Sequence, residues 1–472
     1  MQKIFLWFTI LVTGFSLFSC KIHQKPHNEW TKSIQAHLDA SPVFQQTYTA
    51  FVLVDPTKGD TLFAKNADKY FTPASNTKLF TLYAALQSLG ETAPSLRFVE
   101  KPDSLLFWGT ADPSFLHPDF GNTATLQFLN SFPEKKLVFS TSNFSNSSLG
   151  NGWSWDDYND DYQAEISPLP MYGNIVRFQI KDTTGASLNP PLFQNSFFQS
   201  NQGQFIQREL EDNQFAVPSV ILTKEKYLQD IPFKTSPSLT QQFLMDTLQR
   251  FVHLDNLPLP DSATTLYTIP LDTLYKRMMQ ISDNMVAEHL LLLCATPHKL
   301  PLQTAKIIQF IQEKYLTDLP DKPKWVDGSG LSRYNLMTPR SITTLLDKMW
   351  RNYPQEKLFS YLAAGGGIGT LSSLYAGNKK PYIFAKSGSM SGVYNQSGYL
   401  VTQSGKVLIF SAMNNNFTLP VRTVRQEVGK LMEAQLLKLN LITDTDIKNQ
   451  NPEWPAYKKY FMHGTSHHMG LD

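Results

Sequence analysis

Apolar residues at 79, 80, 82, 83, 86 and 89 recur with helical spacing and Gly90 follows them, so a buried helix opened by Ser75 is expected here. Residues 271–296 repeat that apolar spacing, except where the polar run Ser282-Asp283-Asn284 interrupts it. Shorter runs read as strands: 47–54 and 61–64, joined by a turn at Asp55-Pro56-Thr57-Lys58-Gly59, and 382–385, 398–402 and 407–412, which form an antiparallel meander. Val421, Val424, Val428, Leu431, Met432 and Leu436 mark an amphipathic helix suited to cover a sheet. Thr338-Pro339 has the residue types of an N-cap followed by the first helical position.

The region from 94 to 265 has a different texture. The runs 105–108, 137–140, 175–180 and 219–223 are short and strand-like, separated by clusters of Pro, Gly, Asn and Asp. The expected architecture is α+β: residues 46–93 and 266–440 form one body, an antiparallel sheet flanked by helices, and 94–265 is a mainly β insertion. With 472 residues, 42% hydrophobic and 12% aromatic, the chain can bury a large core in two or more lobes. A net charge of +2 without a basic cluster argues against a nucleic-acid partner.

Three polar motifs carry the chemistry. Ser75 is the only serine with a lysine three residues on, and at i and i+3 the Ser75 hydroxyl and the Lys78 amine share a helical face. A serine needs a neighbour to remove its proton, and a lysine does so only when burial or nearby positive charge lowers its pKa. Lys386 supplies a second cation suited to disfavour protonation at Lys78 and to attract a carboxylate. The helix N-terminus adds N–H groups for an oxyanion. A hydroxyl at Ser282 suits proton relay, and the Asn284 amide suits a substrate carbonyl, although taken alone the triplet reads as a helix–helix turn with an N-cap. Lys386-Ser387-Gly388 closes an expected strand. A glycine at 388 leaves room for a peptide along the strand edge, whereas taken alone the triplet is an ordinary turn.

These motifs lie 207 and 104 residues apart, so only a tertiary fold can bring them together. The order S-x-x-K, S-D-N, K-[T/S]-G is a signature of β-lactamases and penicillin-binding proteins. With residues 73–79, 282–288, 327–333 and 385–392, the chain resembles the penicillin-recognising D-alanyl-D-alanine carboxypeptidase/endopeptidase family, the low-molecular-mass class C type with a large insertion between the first two motifs. The resemblance covers most of residues 45–415. It implies a β-lactamase/transpeptidase-like fold and action on peptidoglycan stem peptides and cross-links through a Ser75 acyl-enzyme, with β-lactams as covalent ligands and no cofactor.

By motif, it makes Ser75 the nucleophile, Lys78 the base, Ser282 the relay, Asn284 a substrate amide contact and Lys386 the carboxylate anchor. The N–H groups of Ser75 and Ser389 become the oxyanion hole. Ser387 stands where the family more often has Thr, which keeps the hydroxyl and moves the expected effect to binding. In the family the insertion also carries an acid that meets the amino end of the peptide's diamino acid. The segment from Trp153 to Tyr162 suits that place, with Asp157 as the residue chosen; read plainly, it is an aromatic packing corner with solvated carboxylates. Asp327-Gly328-Ser329-Gly330 reads as a tight turn outside the three motifs.

The N-terminus sets the expected compartment. Lys3 followed by an apolar run over 4–18 reads as a secretory signal, and Leu17-Phe18-Ser19-Cys20 resembles a bacterial lipobox. Residues 1–20 are thus expected to be a lipoprotein signal, Cys20 the lipidated residue, and 21–45 a tether to a membrane in the periplasm. Cys294, the other cysteine, lies in an apolar run and reads as an inert buried thiol. His463, His467 and His468 fall in a polar tail over 441–472, without the rigidity of a metal site. Neither H-E-x-x-H nor G-x-S-x-G occurs. Two alternatives remain: a serine β-lactamase, disfavoured because no E-x-x-L-N follows the second motif, and a non-catalytic peptidoglycan-binding lipoprotein, disfavoured because all motif residues are intact.

Overall fold

A computed structural model describes residues 29–181, 186–376, 380–402 and 405–438. The expected signal segment, Cys20, and the histidine-containing tail lie outside the described residues.

Six antiparallel strands form the central sheet, in the order Ala363–Ala364, Ile383–Met390, Val393–Val401, Val407–Asn415, Tyr48–Asp55, Asp60–Lys65. Its inner strands are largely buried on both faces, which requires a cover on each side. Along Val407–Asn415, Val407, Ile409 and Met413 enter one cluster, whereas Leu408, Phe410 and Ala412 enter another. The first cluster is closed by helices Lys78–Ser88, Leu271–Gln280, Asn284–Leu293, Thr304–Tyr315 and Pro339–Asn352. The second is closed by Val421–Lys438, through Val421, Val424, Val428, Leu431 and Met432, and by the N-terminal helix Glu29–Ala40.

That N-terminal helix corrects one expectation. Ile34 and Leu38 are fully buried, and residues 29–45, expected as part of a tether, form two helices that close the sheet's outer face. The i, i+4 spacing of these two residues was the sequence signal for it.

The second region begins and ends on paired strands. Thr92–Glu100 and Thr264–Pro270 run antiparallel, so the chain enters and leaves side by side, and both strands extend past the expected limits of 94 and 265. They belong to a mixed five-stranded sheet with Ser104–Gly109, Lys136–Ser140 and Val252–Asp255. Two three-stranded sheets and the helices Ala124–Asn130 and Pro237–Leu248 share one aromatic-rich core with it. The run 219–223 is not a strand: Pro218 ends the strand Phe215–Pro218, and Ser219–Leu222 makes a helical turn with Val220 51% and Leu222 48% exposed.

Thr338 caps its helix as its residue type predicts, accepting the Ser341 N–H at 3.3 Å. Cys294 is buried and free, and burial pushes its thiol up to about 12, so no thiolate forms at neutral pH.

Candidate active site

Ser75 lies in a 3-10 turn, Ala74–Thr77, and the α-helix starts one residue later, at Lys78. The turn leaves Ser75 half-buried beside a lysine with no exposed surface. Lys78 Nζ lies 3.0 Å from Ser75 Oγ, 2.5 Å from Asn284 Oδ1 and 2.7 Å from the Ser329 carbonyl oxygen. As a neutral amine, Lys78 retains two N–H groups for Asn284 and Ser329 and turns its lone pair to the serine proton. Burial drives the Lys78 pKa down to about 8, and the charges of Asp327, Glu288 and Asp283 keep it from falling further.

Lys386 is equally buried. Burial first, and the charge of Lys78 second, push its pKa well below the ordinary lysine value. Its Nζ donates to the Ser387 carbonyl at 2.8 Å. The two amines therefore compete for positive charge. A carboxylate arriving at Lys386 favours the proton there and leaves Lys78 free to act as a base.

Asp283 caps the helix Asn284–Leu293, accepting the Val286 N–H at 3.0 Å, so the motif does form a helix–helix turn with an N-cap. Asn284 is engaged at both ends of its amide: Oδ1 accepts from Lys78, and Nδ2 donates to the Tyr162 carbonyl at 3.0 Å. Ser282 is half-buried, has φ +68°, and its hydroxyl makes no hydrogen bond among the described residues. The resting contact of Lys78 is thus to Asn284, not to Ser282.

The third motif is strand rather than turn. Lys386, Ser387, Gly388 and Ser389 all lie within Ile383–Met390, paired to Val393–Val401 on one side. On the other side Ala363–Ala364 pairs only with Phe384 and Ala385, which leaves the strand beyond Ala385 without a neighbour in the sheet. Gly388 faces the Ser75 turn. A Cβ on Gly388 falls 2.7 Å from the Pro73 carbonyl oxygen and 2.8 Å from the Ser75 nitrogen, so the approach of two backbones by itself requires glycine here. Ser387 Oγ donates to Thr370 Oγ1 at 2.7 Å.

The loop Asp327-Gly328-Ser329-Gly330, read from sequence as a turn outside the site, forms one of its walls. Its Ser329 carbonyl accepts from Lys78, and its Gly328 and Ser329 N–H groups donate to the buried Glu288 carboxylate at 3.0 and 2.7 Å. Burial and the Asp327 charge raise the Glu288 pKa. Gly330, at φ +89°, passes so close to the Ser75 turn that a Cβ there lies 2.0 Å from the Ala74 carbonyl oxygen. A main-chain acceptor leaves no mark in residue type, which is why sequence reading missed Ser329. The signal available was the pair of glycines around it, which permits close backbone approach.

The Trp153–Tyr162 segment borders the same wall. Trp153 Nε1 donates to Asp327 Oδ2 at 2.9 Å, and Tyr162 holds Asn284 through its carbonyl. Asp157 sits half-buried on the outer turn Trp155–Asp157, where its carboxylate, with that of Asp160, faces the Tyr162 hydroxyl and accepts a hydrogen bond from it. Asp161 lies deeper. Burial, then Asp230, Asp160 and Asp283, raise its pKa to about 7, which ties this acid electrostatically to the second motif. Among the described residues no group of three or more His, Cys, Asp or Glu is placed to hold a metal ion, and no helix is long and apolar enough to cross a membrane.

Comparison with known proteins places the chain in a family. Residues 30–436 match the family described as D-Ala-D-Ala carboxypeptidase 3 (S13). The D-alanyl-D-alanine carboxypeptidase DacB of Haemophilus influenzae is 25% identical over 324 residues, 60% of this chain and 65% of that protein, just under two thirds of its length. Penicillin-sensitive carboxypeptidase A of Dictyostelium discoideum is 25% identical over 436 residues, 76% of this chain and 81% of its own. The crystal structure of penicillin binding protein 4 (dacB) from Haemophilus influenzae superposes with a TM-score of 0.67 at 21% identity, covering 86% of this chain and 98% of that one. The fold is therefore the α+β transpeptidase-like one.

Proposed function

The chain belongs to the D-Ala-D-Ala carboxypeptidase 3 (S13) family, and from that premise we propose that it is a serine D-alanyl-D-alanine peptidase acting on peptidoglycan stem peptides and cross-links. The observation that carries this reading is the buried Lys78 amine, 3.0 Å from the Ser75 hydroxyl with its pKa drawn down to about 8. In the proposed reaction, neutral Lys78 takes the Ser75 proton as Oγ attacks the carbonyl carbon of the penultimate D-alanine. The N–H groups of Ser75 and Ser389 receive the oxyanion, and Lys386 with Ser387 holds the terminal carboxylate. Proton return through Ser282 lets the C–N bond break, releases D-alanine, and leaves an ester on Ser75 that water hydrolyses. Asn284 contacts the substrate amide once it is released from its resting partners. Asp157 and Asp161 on the bordering segment are suited to the ammonium of a diamino acid further along the peptide. A β-lactam presents a strained amide beside a carboxylate and fits the same positions, so it acylates Ser75.

Product analysis tests this reading. Purified protein incubated with stem pentapeptides is expected to release one D-alanine per peptide, read by mass spectrometry; unchanged pentapeptide after prolonged incubation at high enzyme concentration contradicts it. The same assay on cross-linked muropeptides measures the endopeptidase share.

We also propose a location in the bacterial cell envelope, on the periplasmic side, with Cys20 carrying a lipid. The sequence Leu17-Phe18-Ser19-Cys20 after an apolar run supports it. Metabolic labelling with a fatty-acid probe is expected to mark the protein and to be lost in Cys20→Ser; label retained in that variant contradicts the assignment.

A further inference from the structure

Asp283 sits between the two other members of the second motif, and its carboxylate is engaged elsewhere. While Oδ1 caps the following helix, Oδ2 accepts Arg277 Nε at 2.8 Å. The same guanidinium reaches Asp119 Oδ2 at 2.9 Å. Asp119 lies in the loop between the strand Ser104–Gly109 and the helix Ala124–Asn130. Its Oδ1 accepts from Arg177 at 2.7 Å, on the strand Ile175–Ile180. Arg177 in turn donates twice to Asp230, at 2.8 and 2.7 Å, on the neighbouring strand Tyr227–Pro232.

Five side chains of alternating charge thus run from the second motif into the sheet of the inserted region. None is more than 28% exposed, so solvent screens them weakly, and removing one leaves its neighbours with an unmatched charge. Burial tends to raise the Asp119 pKa, but Arg177 and Arg277 outweigh it and hold it at about 2, so the link stays charged at neutral pH.

The second observation is backbone. Ser282 takes φ +68°, a left-handed conformation that a serine keeps only when its surroundings over-determine it. The residue after it is Asp283, fixed by Arg277; the next is Asn284, fixed by Lys78 and the Tyr162 carbonyl. Tyr162 belongs to the insertion, and Arg277 is itself bound by Asp119 there, so both side chains that pin the chain beyond Ser282 draw part of their support from the insertion.

We infer that Asp119 and Arg177 are positioning residues for acyl transfer, acting through Arg277 and Asp283 to keep Ser282 in its left-handed conformation and Asn284 against Lys78. The inference rests on Ser75 and Lys78 being the reacting pair. It gives the insertion a part in the chemistry as well as in substrate recognition.

The test measures acylation of the full chain by a fluorescent penicillin over a range of concentrations, which separates the rate constant of acylation from the affinity of the preceding complex. Asp119→Asn, which keeps the size and removes the charge, is expected to lower the rate constant about tenfold or more, with the affinity changed by less than about threefold. Arg277→Gln is expected to do the same, and the double variant to be no worse than about twofold below the slower single one, because both cut one chain. An unchanged rate constant in Asp119→Asn with a lowered melting temperature overturns the inference, as does a double variant whose losses multiply. Should Asp119→Asn not fold, Arg177→Gln cuts the next link and is read in the same way. Absence of label on the unaltered protein instead marks failure of the functional reading.

Discussion

Ser75→Ala is expected to abolish covalent labelling by penicillin and to lower D-alanine release by roughly 10⁶-fold, leaving only what binding and the oxyanion donors provide. The size of the effect follows from what is lost. Without Oγ no ester forms, and neither Lys78 nor Lys386 lies where it can replace the serine as a nucleophile, because Lys78 is occupied by Asn284 and the Ser329 carbonyl, and Lys386 by the Ser387 carbonyl. The alanine variant keeps its fold, since Ser75 is half-buried and the turn around it is held by Asn76 and by Gly330 rather than by the hydroxyl. Retained secondary structure with lost label separates chemistry from folding. Product release in Ser75→Ala at more than about a hundredth of the normal rate would sink the acyl-enzyme reading.

Replacing Lys78 is the second large effect. Lys78→Arg keeps a positive charge and hydrogen-bond donors but places a group at the serine that stays protonated at any working pH. If Lys78 acts as the base, Lys78→Arg and Lys78→Gln both lose acylation by about 10²–10⁴-fold. If it acts only as a charge, the arginine variant retains most of it. The pH profile of the unaltered protein gives an independent reading. A base works in its deprotonated form, and burial sets the Lys78 pKa at about 8, so acylation should climb by roughly tenfold per pH unit below that value and level off above it. A profile flat between pH 6 and 8 contradicts the assignment. The carboxylates that face Lys78, namely Asp327, Glu288 and Asp283, oppose the effect of burial, since each favours the protonated form.

The outline of both body and site was legible in the chain because the chemistry resides in side chains that sit on regular elements. Apolar spacing placed the helix after Ser75, the helix after Asp283 and the strand at Lys386, and these three elements meet. What the sequence did not disclose around Ser75 shares one physical feature: each case involves the main chain. The Ser329 carbonyl that receives Lys78, the close approach that forces glycine at 388 and at 330, and the left-handed turn at Ser282 all arise from tertiary packing that residue type records only faintly. Gly388 is instructive, since its purpose read from sequence was access for a peptide, whereas the atoms it spares are those of Pro73 and Ser75.

Other misses were of local pattern. The run at 219–223 is apolar enough for a strand, but five residues cannot distinguish a strand from a helical turn, and Pro218 decides the matter. Residues 29–45 follow a secretory-looking segment and so read as tether, although Ile34 and Leu38 one helical turn apart fit a buried helix face. The charge chain from Asp283 to Asp230 has no sequence signal at all. Its members lie in separate elements, and only the way the insertion folds back on the second motif aligns them.

In the proposed reaction Ser75, activated by Lys78, forms an acyl-enzyme. The measurement that tests it most directly is mass spectrometry of the intact protein after brief incubation with benzylpenicillin, followed by peptide mapping. A single adduct of one penicillin per chain is expected, located to the peptide that carries Ser75 and absent from Ser75→Ala. No adduct at saturating penicillin, or an adduct mapped to another residue such as Ser282, would contradict it.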